Sequence, residues 1–87
     1  MKTLEEIRAR IDEVDERMAE LFAERMKLVR EAAEYKRAAG LPVEDKEREK
    51  EILARHGERF SDDPKLRSEY ERFQKTVIQI SKDDQAR

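Results

Sequence analysis

The sequence predicts an all-α fold: three helices of unequal length, one long and two short, that complete a bundle only by intertwining with a second copy of the chain. Three observations lead there. Apolar residues recur at spacings of three and four almost throughout the 87 residues, which marks helices rather than strands. The two glycines and two prolines fall between the periodic stretches, at Gly40-Leu41-Pro42, Gly57 and Pro64. The first periodic stretch is also too long for the rest of the chain to cover.

That stretch is one helix over about residues 3–39. Leu4, Ile7, Ile11, Val14, Met18, Leu21, Arg25, Leu28, Ala32, Tyr35 and Ala39 form a continuous heptad seam with no Gly or Pro inside it. Thr3 is the expected N-cap, and Gly40 followed by Pro42 is the stop signal. About 36 residues at ~1.5 Å each make a rod of roughly 54 Å. A compact domain of this size has a radius of gyration of about 12 Å. The seam therefore needs cover from outside the chain, most simply a second copy related by a two-fold axis.

The second helix is expected over about 44–56, ending at His56-Gly57, with Ile52 and Leu53 facing inward. The polar run Glu58 to Asp63 reads as a loop. Asp63-Pro64 then reads as an N-cap followed by proline at the first helical position. The third helix is expected over about 64–84, its inner face marked by Leu66, Tyr70, Phe73, Val77 and Ile80. The chain is thus a single domain over 1–87.

Composition narrows the function. Charged residues make up 48% of the chain and apolar residues 37%, a balance that suggests disorder until the helical periodicity overrules it. The net charge is −2, without the basic excess of a duplex-binding module, so no nucleic-acid partner is expected. There is no cysteine and one histidine, which leaves no thiolate metal site and little scope for a histidine-based one. Without a run of about 18 apolar residues no membrane span is expected, and a cytoplasmic protein is the default expectation.

Several polar residues stand where apolar ones were due. Arg25 occupies a seam position and needs an anion or a carboxylate as partner; a register-setting role, or a pair with Glu20 or Glu24, serves as well. Lys36 lies eleven residues on, about three turns, on a face shared with Leu28, Ala32 and Tyr35. It is either half of an anion pocket or a snorkelling lysine near a helix end. Asp45, Arg48 and Glu49 share one face of the second helix with Ile52 and Leu53, as the lining of a polar cavity or as a surface ion-pair cluster. His56 reads as a helix-end cation. Ser81 and Gln85 stand one turn apart on the third helix, near a ligand or simply solvated.

Together these residues resemble the all-helical (AroQ-type) class of chorismate mutases over nearly the whole chain. The resemblance rests on Leu4-Glu5-Glu6-Ile7-Arg8, Ile11-Asp12-Glu13-Val14-Asp15, Leu21-Phe22-Ala23-Glu24-Arg25, Tyr35-Lys36, Leu41-Pro42-Val43-Glu44-Asp45 with Arg48-Glu49, and Ser81 with Gln85. It implies a homodimer with shared sites that converts chorismate to prephenate without metal or cofactor, in aromatic amino-acid biosynthesis. It implies that Arg8 of the partner subunit, Arg25 and Lys36 bind the two carboxylates of chorismate. Lys36 and Gln85 would also face the ether oxygen, Glu49 would accept from the ring hydroxyl, Asp45 and Arg48 would shape that side, and Ser81 would contact the ring carboxylate. Arg8 and Arg25 lie seventeen residues apart, about 25 Å along one helix, so they cannot grip one small molecule from the same chain.

The chain departs from the family at Asp83-Asp84, where members often carry an apolar or aromatic residue. By heptad count from Ile80, Asp84 falls inward and is expected to pack poorly, and both acids oppose the helix dipole. Gln85 lies two residues from the last position, where a helix frays. Two other readings compete: an isochorismate pyruvate-lyase of the same fold, and a non-catalytic helical dimerisation module.

Overall fold

The computed structural model describes residues 2–86 and contains three α-helices, α1 (Leu4–Ala39), α2 (Lys46–Gly57) and α3 (Pro64–Gln85), with a short 3-10 turn over Glu58–Phe60 between the last two. Among the described residues there is no strand. The helix ends are set by local chemistry. Glu6 N–H donates to Thr3 Oγ1 at 3.2 Å, Arg48 N–H to Asp45 Oδ1 at 3.0 Å and Leu66 N–H to Asp63 Oδ1 at 3.0 Å. Each side chain satisfies an amide that its helix leaves unpaired.

At the end of α1, Gly40 takes a left-handed conformation (φ 69°, ψ 27°). Leu41 N–H returns to Lys36 O at 2.8 Å and Gly40 N–H to Arg37 O at 3.3 Å. This Schellman closure needs glycine, because a Cβ is strained at that φ. Gly57 serves differently: it is the last residue of α2 with ordinary right-handed geometry (φ −61°). A Cβ there would stand 3.1 Å from Arg67 Nε, so what it supplies is room for the Arg67 guanidinium. The run 58–63, expected as a loop, holds the 3-10 turn because Ser61 and Asp63 N–H groups find Glu58 O and Phe60 O. Tyr70 pins that turn: it packs on Phe60 (5.1 Å between centroids), Phe73 and, edge-on, His56.

α3 packs against both α1 and α2. It runs in the same sense as α1, so Arg25, Arg30 and Lys36 meet Ser81, Asp84 and Gln85 in order. The buried residues are few: Met26 and Ala33 on α1, Gln74, Val77, Ile78 and Ser81 on α3, and Gly57. The chain measures 56 × 27 × 15 Å with a radius of gyration of 16.3 Å, well beyond the ~12 Å of a compact domain of this length.

The faces covered within a single chain differ from the apolar rows read in the sequence, which were expected to be buried by a second copy as well. On α1 the stripe turned to α3 is Arg25, Met26, Val29, Ala32, Ala33 and Lys36, whereas Leu28 and Tyr35 are exposed, Tyr35 to 71%. Packing against α3 rotates the covered stripe away from the heptad seam. On α3, Val77 is buried, but Leu66, Phe73 and Ile80 are exposed in the single chain. The row Gln74, Ile78 and Ser81 is inside instead. No described helix is long and apolar enough to cross a membrane.

Candidate active site

Four polar side chains that the sequence singled out meet where the C-terminal half of α1 faces the end of α3. Arg25 Nη1 donates to Ser81 Oγ, and the Ser81 hydroxyl donates in turn to Val77 O at 2.8 Å. Ser81 thereby acts toward Arg25 only as an acceptor. A guanidinium has five N–H donors, and this is its one side-chain hydrogen bond among the described residues, so most of them remain for a ligand.

Lys36 Nζ donates to Val43 O and to Gln85 Oε1, both at 3.0 Å. An ammonium has three hydrogens and only donates, so the Gln85 carbonyl must face it. That fixes the amide the other way round, with Nε2 donating to Val29 O at 3.2 Å. One hydrogen of the Lys36 ammonium and one of the Gln85 amide are then left over. Gln85 is the last helical residue and is held at both ends of its side chain, so the expected fraying is not seen. Asp84 does not pack poorly either: its carboxylate, 21% exposed, takes Arg30 Nε at 3.1 Å. A cation on α1 thus neutralises the acid that the heptad count turned inward.

Glu49 is the fifth site residue to arrive. Its Oε1 lies 3.4 Å from Lys82 Nζ, and its Oε2 is buried with no protein hydrogen-bond partner. The remaining three expected residues do not join the cluster within one chain. Arg48, next to Glu49 but about 100° around the helix, is exposed and pairs with Glu51 at 3.6 Å. The Asp45 carboxylate caps α2. Arg8 lies exposed on the first half of α1.

Sequence reasoning missed Lys82, which bridges Glu49 and Glu44 (3.6 Å), and the carbonyls of Val29 and Val43. The position of Lys82, one residue after Ser81 and three before Gln85, placed it near the site, but no spacing rule couples it to a carboxylate on another helix. A concavity of about 610 Å³ lies elsewhere. It is an apolar groove between α1 and α3 lined by Met18, Phe22, Tyr70, Phe73 and Val77, and it shares only Arg25 with the polar cluster. An open apolar groove of that kind is a surface to be covered rather than a place that orients a charged ligand.

Among the described residues the chain is thus three α-helices without a strand, with two cations and one amide gathered between its first and last helices. Its family is shown by sequence comparison: the profile of the chorismate mutase type II family matches residues 7–86, and the chain belongs to that family. A chorismate mutase from Methanocaldococcus jannaschii is 46% identical over 55 residues, 63% of this chain and 56% of that one. A bifunctional chorismate mutase/prephenate dehydratase from Aquifex aeolicus is 43% identical over 53 residues, 61% of this chain and 15% of that protein. The matched stretch thus spans little more than half of the first relative and a small part of the second. No solved structure gives a significant match.

Proposed function

We propose that the chain is a chorismate mutase acting as an intertwined homodimer with two shared sites. The observation that carries the reading is the hydrogen bond from Lys36 Nζ to Gln85 Oε1, joining residues 49 apart in sequence. It fixes which way the Gln85 amide faces and leaves each of the two groups one hydrogen. In the rearrangement of chorismate, the C–O bond of the enol ether breaks as a C–C bond forms within the same molecule. No proton moves and no atom leaves, so the site has to hold the folded conformer and stabilise charge growing on the ether oxygen.

The free hydrogens of Lys36 and Gln85 serve that oxygen. Arg25 takes one carboxylate through charge-assisted hydrogen bonds, and the Ser81 hydroxyl serves the ring carboxylate by turning its one hydrogen from Val77 O to the ligand. Glu49 Oε2 accepts from the ring hydroxyl, and Asp45 and Arg48 border that side. Arg8 of a second copy brings the cation for the other carboxylate, and the exposed seam of α1 is what that copy covers. A rate gain of about 10⁶ requires roughly 8 kcal/mol of differential stabilisation. Two or three preorganised donors on one developing charge are of the right order.

Both relatives are named as chorismate mutases, and no observation favours the lyase or the non-catalytic module over this reading. The test is to follow chorismate loss and prephenate formation with purified protein, with Lys36→Ala and Arg25→Ala alongside. Turnover that both changes abolish is expected; a folded wild-type dimer that neither converts nor binds chorismate sinks the reading.

A further inference from the structure

Lys82 has no part in that mechanism, yet among the described residues it is the only side chain seen to hold Glu49. The two side chains are 25% and 24% exposed, and the ammonium stands 3.4 Å from Glu49 Oε1. Glu44, at 3.6 Å from the same ammonium, is its more exposed second partner. A carboxylate gripped at one oxygen by an ammonium tethered to another helix has its plane constrained. Here the consequence is specific: Oε1 is occupied, and Oε2 is a buried acceptor without a protein donor. A buried carboxylate oxygen left that way is unfavourable until a donor reaches it. Lys82 also sits within one turn of both Ser81 and Gln85, so it ties the acceptor on α2 to the helix that carries the amide donor.

We infer that Lys82 is a positioning residue of this site: it holds Glu49 so that Oε2 meets the ring hydroxyl of the substrate, and it thereby sets the site's demand for that hydroxyl. The inference rests on the mutase reading and adds a specificity role to it. A site built to hydrogen-bond a hydroxyl discriminates against the analogue that lacks it, because a buried polar group is left unpaired. Without Lys82 the Glu49 carboxylate is free to swing toward solvent, and the discrimination shrinks.

The test compares kcat and KM for chorismate and for its analogue lacking the ring hydroxyl. It uses the full chain as wild type, Lys82→Met, Lys82→Arg, Glu49→Ala and the Lys82→Met/Glu49→Ala double variant. Lys82→Met is expected to lose about tenfold in kcat/KM with chorismate and under about twofold with the analogue. Lys82→Arg keeps most of the preference, since it keeps the cation. In the Glu49→Ala background Lys82→Met adds nothing further, because the residue acts through Glu49. Equal losses on both substrates, or the full tenfold loss in the Glu49→Ala background, overturn the assignment and leave the mutase reading standing. A wild type that forms no prephenate overturns both. Should Lys82→Met lose its helical circular dichroism, Lys82→Gln makes the same comparison.

Discussion

Residues 4–24 and 25–39 of α1 carry the same three-and-four spacing of apolar residues, yet the chain treats them differently. In the single chain every residue of the first set is exposed, Leu21 to 61%. In the second set Met26 and Ala33 are buried against α3, and Arg25 and Lys36 are half-buried and hydrogen-bonded. An apolar repeat states that a surface is to be covered and leaves open what covers it. Where this chain supplies the cover, the seam shifts to suit α3 and its polar members find partners. Where it does not, apolar and polar faces are exposed alike, and in the proposed dimer it is a second copy that covers the seam.

The largest effect should come from breaking the uncovered half. Ile11→Lys with Met18→Lys places two charges on a seam that the proposed dimer buries, and a buried unpaired charge is strongly unfavourable. Light scattering should show a monomer at micromolar concentration, and prephenate formation should fall by more than ~100-fold because each site needs the partner's Arg8. A monomer that keeps its activity would refute the shared site. In the covered half, Arg25→Leu should lower kcat/KM by about 10²–10³ while the dimer persists and stability holds or rises. The dimerisation-module reading predicts the stability change without a ligand-binding loss, so chorismate binding by calorimetry separates the two.

Smaller effects sharpen the contrast at the end of α1 that carries Lys36. Gly40→Ala forces a Cβ into the left-handed region and should destabilise by about 1–2 kcal/mol, read by urea unfolding at fixed protein concentration. The smallest change is Asp84→Asn. Arg30 is largely exposed, and such a pair contributes about 0–1 kcal/mol. Unfolding should barely move, while kcat falls a few-fold because the pair holds the turn that bears Gln85; a kcat unchanged within error would confine Asp84 to the surface.

Legibility followed the range of the physics. Thr3 and Asp63 as caps, and Gly40 as the stop, were readable because a cap acts within three or four residues; Asp45, expected inside α2, proved to be its cap. Helix boundaries moved by only a residue or two: α1 starts at Leu4, α2 spans Lys46–Gly57 and α3 ends at Gln85. Arg25, Lys36, Ser81 and Gln85 were readable as polar residues on faces that should be covered. The aromatic anchoring of the 58–63 turn by Tyr70 was not, since it depends on how α2 and α3 pack.

By itself the sequence determined that the chain is helical, where each helix begins and stops, and that the long first helix overshoots its own cover. These follow from hydrogen bonds and periodicities that act within one or two turns. Only the tertiary structure decided which stripe of α1 turns to α3, that Glu49 rather than its neighbour Arg48 points inward, and that Lys82 answers it. Those outcomes depend on the rotation of one helix against another, and a rotation of about 100° exchanges one residue for the next. No pattern along a single helix carries that angle; side chains packing across the interface set it.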